Sequence, residues 1–190
     1  VRRFAQDHFL TQEIDSSRFE QMKYRDIGDF TLGSYEPVQY IKKELYSTVI
    51  LNRNGALWQQ EIRFPIDIIK IYELVDNKLI LAYRIHNRSE MREFKFAIET
   101  NFSLLSPNSP QVTLNFHDSP ETIYRAGQRA TLKNFRAYDL TDKIRCFNIK
   151  CRADSDELWM FPVETVSSSE GGLERVYQET ALVHIYNFNL

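Results

Sequence analysis

Three carboxylates, Glu164, Glu170 and Glu174, fall within eleven residues of one another, around the adjacent glycines Gly171 and Gly172 and the serines Ser167, Ser168 and Ser169. Clustered carboxylates are what glycosidic-bond hydrolysis uses, about 5 to 5.5 Å apart for retention and about 6.5 to 9.5 Å apart for inversion. Nothing beside these three suggests the apolar pocket that would raise the pKa of one of them into the range of a general acid. Sugar binding needs less, because an aromatic face stacks on the ring while carboxylates and amides take its hydroxyl protons. Trp58, Trp159 and Tyr177 are the candidate faces, although core packing is the commoner fate of such side chains. The stretch therefore reads as a carbohydrate-binding or docking loop built on Glu164, Ser167, Glu170, Gly171, Gly172 and Glu174, or as a solvated hairpin connection. No residue is assigned a catalytic role.

The glycine pair carries weight because the chain has only six glycines in 190 residues. Adjacent glycines lose the most backbone entropy on folding and are used where φ must be positive or another group approaches the backbone. Positive φ is expected at Gly171 or Gly172, turning the loop back so that Glu170 makes a fixed contact.

The remaining reactive side chains are scattered. His8, His86, His117 and His184 lack metal-ligand spacing, so no metal is expected. His86 and His117 on a sandwich are an alternative acid and base pair for sugar isomerisation, against the ordinary reading of surface histidines. Cys146 and Cys151, if they share one strand, point to opposite faces about 16 Å apart and cannot bond. Two free thiols fit a reducing, cytoplasmic compartment. Phosphate cradles, nucleophile elbows and Ser/His/Asp arrangements are absent, and no cofactor is expected.

The elements that position these groups are extended. Phe94, Phe96, Ile98 and Phe102 alternate with Glu93, Lys95, Glu99 and Asn101, which reads as a strand with one face to the core and one to water. Asn54-Gly55 predicts a type I′ turn closing a strand at 46–52, with Trp58 opening the return strand. Ile62, Phe64, Ile66 and Ile68 share one parity, whereas Ile69 and Ile71 have the other, and a β-bulge near Ile68 would explain the switch. Asp76-Asn77 predicts the next turn, and Leu79, Leu81, Tyr83 and Ile85 the next strand. Later runs fall at 129–139, 144–153 and 157–163, then the glycine-pair loop, then Thr180 to Phe188. No 3.6 period persists and no repeat appears, so the fold class is all-β, a large antiparallel β-sandwich spanning 1–190 as a single domain, with 1–20 as a lead-in.

Composition limits the partners. Hydrophobic content of 43% suits a globular chain, and a net charge of −2 with no basic stripe argues against nucleic acid. No apolar run nears the roughly 20 residues of a bilayer-spanning helix, so no membrane partner is expected. The chain begins without Met in sequence that already looks structured, and reads as one domain of a longer protein.

The run from Phe161 to Gln178, FPVETVSSSEGGLERVYQ, resembles the signature near the end of the C-terminal β-sandwich domain of glycoside hydrolase family 57, the α-amylase and 4-α-glucanotransferase group. Asp7 to Leu10 resembles the entry into that domain, Gly28 to Phe30 its early strand, and Asn101 to Leu105 its central one. The resemblance implies a galactose-mutarotase-like supersandwich that packs on a catalytic barrel carrying the nucleophile and general acid. No βα alternation exists here, so the barrel is missing from this chain. The implied function is that of a non-catalytic domain, not an enzyme on its own. Its implied partners are the barrel of the same parent chain, a retaining enzyme, and possible α-glucan.

Overall fold

The computed structural model describes residues 4–90, 93–117, 123–169 and 172–189. Extended runs rich in β-branched and aromatic residues become strands. In chain order these are β1 (Gln6–Leu10), β2 (Glu36–Lys42), β3 (Tyr46–Gln59), β4 (Ile62–Val75), β5 (Lys78–Asn87), β6 (Glu93–Phe102), β7 (Val112–Phe116), β8 (Ile123–Arg125), β9 (Ala130–Asp142), β10 (Phe147–Ser169) and β11 (Gly172–Asn189). A single-turn helix, α1 (Ser16–Glu20), sits in the lead-in, capped by Asp15, whose carboxylate accepts from the Arg18 N–H at 2.8 Å. The fold is all-β, with the strands in two sheets of order β1-β6-β11-β10-β9-β7-β8 and β2-β3-β4-β5, the composition of an antiparallel β-sandwich. No helix among the described residues is long and apolar enough to cross a membrane.

The chain divides into two compact units. One comprises the N-terminal residues to Asp7, Gln12–Tyr24 and Lys95–Asn187; the other comprises His8–Thr11, Arg25–Phe94 and the end from Phe188. The first is built on Phe116, Phe135, Tyr138, Leu158, Met160 and Leu182, all buried. The second is built on Phe9 with Phe30 at 5.0 Å and Phe94 at 5.4 Å between ring centroids, and on buried Leu57, Ile66 and Ile68.

Four local expectations give way to packing. Asn54-Gly55 is not a turn: β3 runs straight through it, with Asn54 opposite Asp67 and Gly55 opposite Ile66. A Cβ on Gly55 would collide with the Phe30 ring and the Asp29 carboxylate, so this glycine serves close approach within a strand. The hairpin instead closes at Gln60 and Glu61, with φ of 49° and 69°, the left-handed pair that a type I′ turn requires. Asp76, with φ 51°, makes the following turn as expected.

No bulge interrupts β4. Its register with β3 and with β5 is continuous, so Ile66 and Ile68 face one side of the sheet while Ile69 and Ile71 face the other. In β6 the expected water-facing side is covered as well: Lys95, Ala97 and Glu99 are buried. Buried Lys95 is accommodated by donating from Nζ to the Ile14 carbonyl at 2.7 Å and by lying 5.6 Å from the centroid of the Trp159 ring. Finally, the break expected near 154–156 is only a shift of register between Arg152 and Ser155, inside one 23-residue strand.

Candidate functional site

The stretch 161–178 is a ribbon rather than a loop. β10 and β11 pair antiparallel from Glu157 opposite Ile185 to Ser169 opposite Gly172. The inner half is held by core packing, with Leu158, Trp159, Met160 and Phe161 buried against a buried run from Thr180 to Ile185. Between Val163 and Glu164 the register shifts, leaving Gln178 as the extra residue of a bulge. Beyond that bulge the ribbon is solvated, exposing Val166, Val176 and Leu173, the last at 81%. Valine, threonine and serine keep this part extended, because their branched or short side chains fit the pleat.

Gly172 has φ of +115°, and a Cβ there would meet nothing within 4 Å. The residue is needed for its backbone conformation and not for space. Glu170 and Gly171 lie outside the described residues, so the contact expected of Glu170 falls there too.

Register separates the carboxylates. Glu164 stands opposite Tyr177 and Glu174 opposite Ser167, and directly opposed residues share a face. Positions 164 and 167 differ in parity, so Glu164 and Glu174 project from opposite faces of the ribbon. Glu164 meets Arg175 at 3.3 Å on its own face. Ser167 and Glu174 are exposed together on the other.

Of the aromatic candidates, Tyr177 stands directly opposite Glu164 and shares its face, whereas the two tryptophans are engaged otherwise. Trp159, on the same strand, is fully buried; its Nε1 donates to Glu157 Oε2 at 2.7 Å, and its ring lies 5.7 Å from that of Phe19. Trp58 is half-buried on β3 in the other compact unit, where its backbone N–H donates to the Ile27 carbonyl at 2.7 Å. Tyr177 is half-buried and meets Thr180 Oγ1 at 2.6 Å, and burial pushes its phenol pKa up.

The histidines likewise occupy structural places. His86 is 75% exposed, 3.8 Å from Asp67, a carboxylate already gripped by Arg88, and it belongs to the second unit. His117 sits in the first unit, 3.4 Å from Asp139. His184 is buried edge-on to Phe135 at 5.3 Å, and burial lowers its pKa to about 4. Both cysteines are free; Cys146 is exposed, while burial raises the pKa of the Cys151 thiol. Among the described residues, no group of three or more His, Cys, Asp or Glu gathers to hold a metal.

One cleft escaped the sequence reading. It encloses about 320 Å³ between α1 and the β9 and β10 strands, lined by Ser16, Glu20, Gln21, Arg129, Thr131 and Phe161 among others. Arg129 clamps Glu20 by donating from Nε and Nη2, one edge of its guanidinium, at 2.6 to 2.9 Å, and this bond raises the arginine pKa. Ser16 and Thr131 hydroxyls meet at 2.8 Å. These groups satisfy one another and tie α1 to β9. The partners are 109 and 115 residues apart, a separation at which local sequence carries no signal.

Residues 1–190 match the model of the family described as alpha-amylase/4-alpha-glucanotransferase, C-terminal. The chain is 31% identical to alpha-amylase 1 of Dictyoglomus thermophilum over 180 residues, 93% of this chain and 23% of that protein. It is 26% identical to an alpha-amylase of Pyrococcus abyssi, covering 99% of this chain and 24% of the relative. The crystal structure of 4-alpha-glucanotransferase from Thermococcus litoralis superposes with a TM-score of 0.72 at 21% identity, over 99% of this chain and 26% of that one, a likeness of fold. The chain thus spans about a quarter of the length of the relatives it matches. With the match running from end to end, the chain belongs to the α-amylase/4-α-glucanotransferase C-terminal domain family.

Proposed function

We propose that this chain is the non-catalytic C-terminal domain of a retaining, α-glucan-acting amylase or glucanotransferase, and that its partner is the catalytic barrel of the same parent chain. The observation that carries this reading is the end-to-end family match to relatives about four times as long. Two features of the ribbon support it. Glu164 and Glu174 leave opposite faces, so they do not flank one glycosidic bond. Glu164 is engaged by Arg175, and the tryptophan of the same strand, Trp159, is buried, which favours docking over sugar stacking. The docking surface is then the outer ribbon, with Glu164, Ser167, Gly172 and Glu174; Glu170 and Gly171 of the same stretch belong to the proposed set and lie outside the described residues. A net charge of −2 and two free thiols support a cytoplasmic protein without a nucleic-acid partner.

Starch and maltooligosaccharide turnover by the parent protein and by the 190-residue chain tests this reading. Activity is expected from the parent alone. Turnover by the chain itself would overturn the non-catalytic assignment, and a parent without turnover would overturn the α-glucan assignment.

A further inference from the structure

The cleft between α1, β9 and β10 lies wholly within the first compact unit. Ser16, Ser17, Glu20, Gln21, Arg129 and Thr131 form its polar walls, and Met160 and Phe161 close an apolar base. At about 320 Å³ it stands at the small end of ligand sites, which run from about 300 to 1,000 Å³, so it takes one ring-sized guest and not a peptide.

The pairing that ties α1 to β9 leaves hydrogen-bonding capacity in these walls. Arg129 uses the Nε and Nη2 edge on Glu20, its Nη1 meets no acceptor among the described residues, and its side chain is 56% exposed. Glu20 Oε2 accepts only from Nε, at 2.9 Å, so a lone pair remains beside the open guanidinium edge. The Ser16 and Thr131 hydroxyls share one bond at 2.8 Å, and Ser17 accepts from Gln21 Nε2 at 3.0 Å, although each hydroxyl offers one donor and two acceptors. The clamp also holds the arginine in place before any guest arrives, which lowers the cost of ordering it on binding.

Charge narrows the choice of guest. Glu20 offsets Arg129, and Glu164, whose charge contributes to raising the Arg129 pKa, is itself paired with Arg175 at 3.3 Å. An anion would meet the carboxylates and a cation the guanidinium groups, whereas a neutral polyol brings hydroxyls that donate to Glu20 and accept from Arg129 at once. We propose that this cleft is a carbohydrate-binding site that seats one sugar residue of an α-glucan. The choice of a neutral sugar rests on the cleft, and the choice of α-glucan rests on the reading of the chain as a domain of an α-glucan-acting enzyme.

Hydrogen exchange of the full-length parent, read by mass spectrometry with and without maltotriose, tests the inference. Amides of 16–21 and 129–131 are expected to exchange several-fold more slowly with the sugar. Gln21→Trp, which fills the cleft from its exposed rim, is expected to abolish that protection with its melting temperature unchanged. Arg129→Lys, which keeps a cation beside Glu20 but loses the open fork, is expected to weaken it several-fold. Unchanged exchange in the parent overturns the proposal, and so does protection that persists in Gln21→Trp. Protection by mannose and not by maltotriose overturns the assignment to α-glucan. α-Glucan turnover by the same sample separates the two readings: protection of the cleft in a parent without turnover upholds the sugar site and overturns the enzyme reading alone.

Discussion

Glu164 and Glu174 leave opposite faces of the β10–β11 ribbon, because Glu164 pairs with Tyr177 and Glu174 with Ser167 across an antiparallel register. Neither carboxylate is in a position to pass a proton to a bond held by the other. In the full-length parent, Glu164→Gln and Glu174→Gln are each expected to lower kcat by less than about tenfold. Loss of a general acid or base costs about 100- to 10,000-fold, so a drop of that size in either variant would return these residues to the chemistry.

His184 makes stability depend on pH. Its pKa falls from 6.5 to about 4 on folding because burial disfavours the charged ring. The unfolded chain therefore binds the extra proton between these values, and stability rises with pH across that window. It is fully present above pH 6.5 and declines as pH falls, by up to ~3 kcal/mol near pH 4. Urea titrations of wild type and His184→Gln at several pH values check this. The variant is expected to lose most of the slope whatever its own stability, and an unchanged slope would remove His184 as its source.

Gly172→Val tests the ribbon tip. A φ of +115° strains any β-branched residue by roughly 1–2 kcal/mol, while the open space around the position removes any clash. The strain is relieved by local fraying, so amide exchange beyond the Val163/Glu164 bulge is expected to quicken about tenfold, with little change in Tm. Exchange rates that overlay the wild type would show that the tip does not hold this conformation.

Gly55→Ala is expected to destabilise the protein by about 1–3 kcal/mol through overpacking against Phe30 and Asp29. Elsewhere in a strand interior, replacing glycine by alanine is neutral or helpful. Equal urea midpoints for variant and wild type would contradict the close approach.

Much of the fold was legible in the residues. Alternation at 94–102, the Asp76-Asn77 turn and the final extended run from Thr180 to Phe188 are properties of neighbouring residues, and each strand they implied exists. The long signature around the glycine pair was enough to indicate the family, because a run of that length rarely arises by chance. Positive φ at Gly172 followed from glycine chemistry.

Other features depended on partners distant in sequence. Whether Asn54-Gly55 turned or continued was decided by Phe30 and Asp29, and whether Lys95 met water was decided by Ile14 and Trp159. The clamp of Arg129 on Glu20 spans 109 residues. Spacing placed Glu164 and Glu174 close together, yet only the pairing of β10 with β11 set them on opposite faces, since a pleated backbone turns successive side chains to opposite sides and register fixes which ones meet.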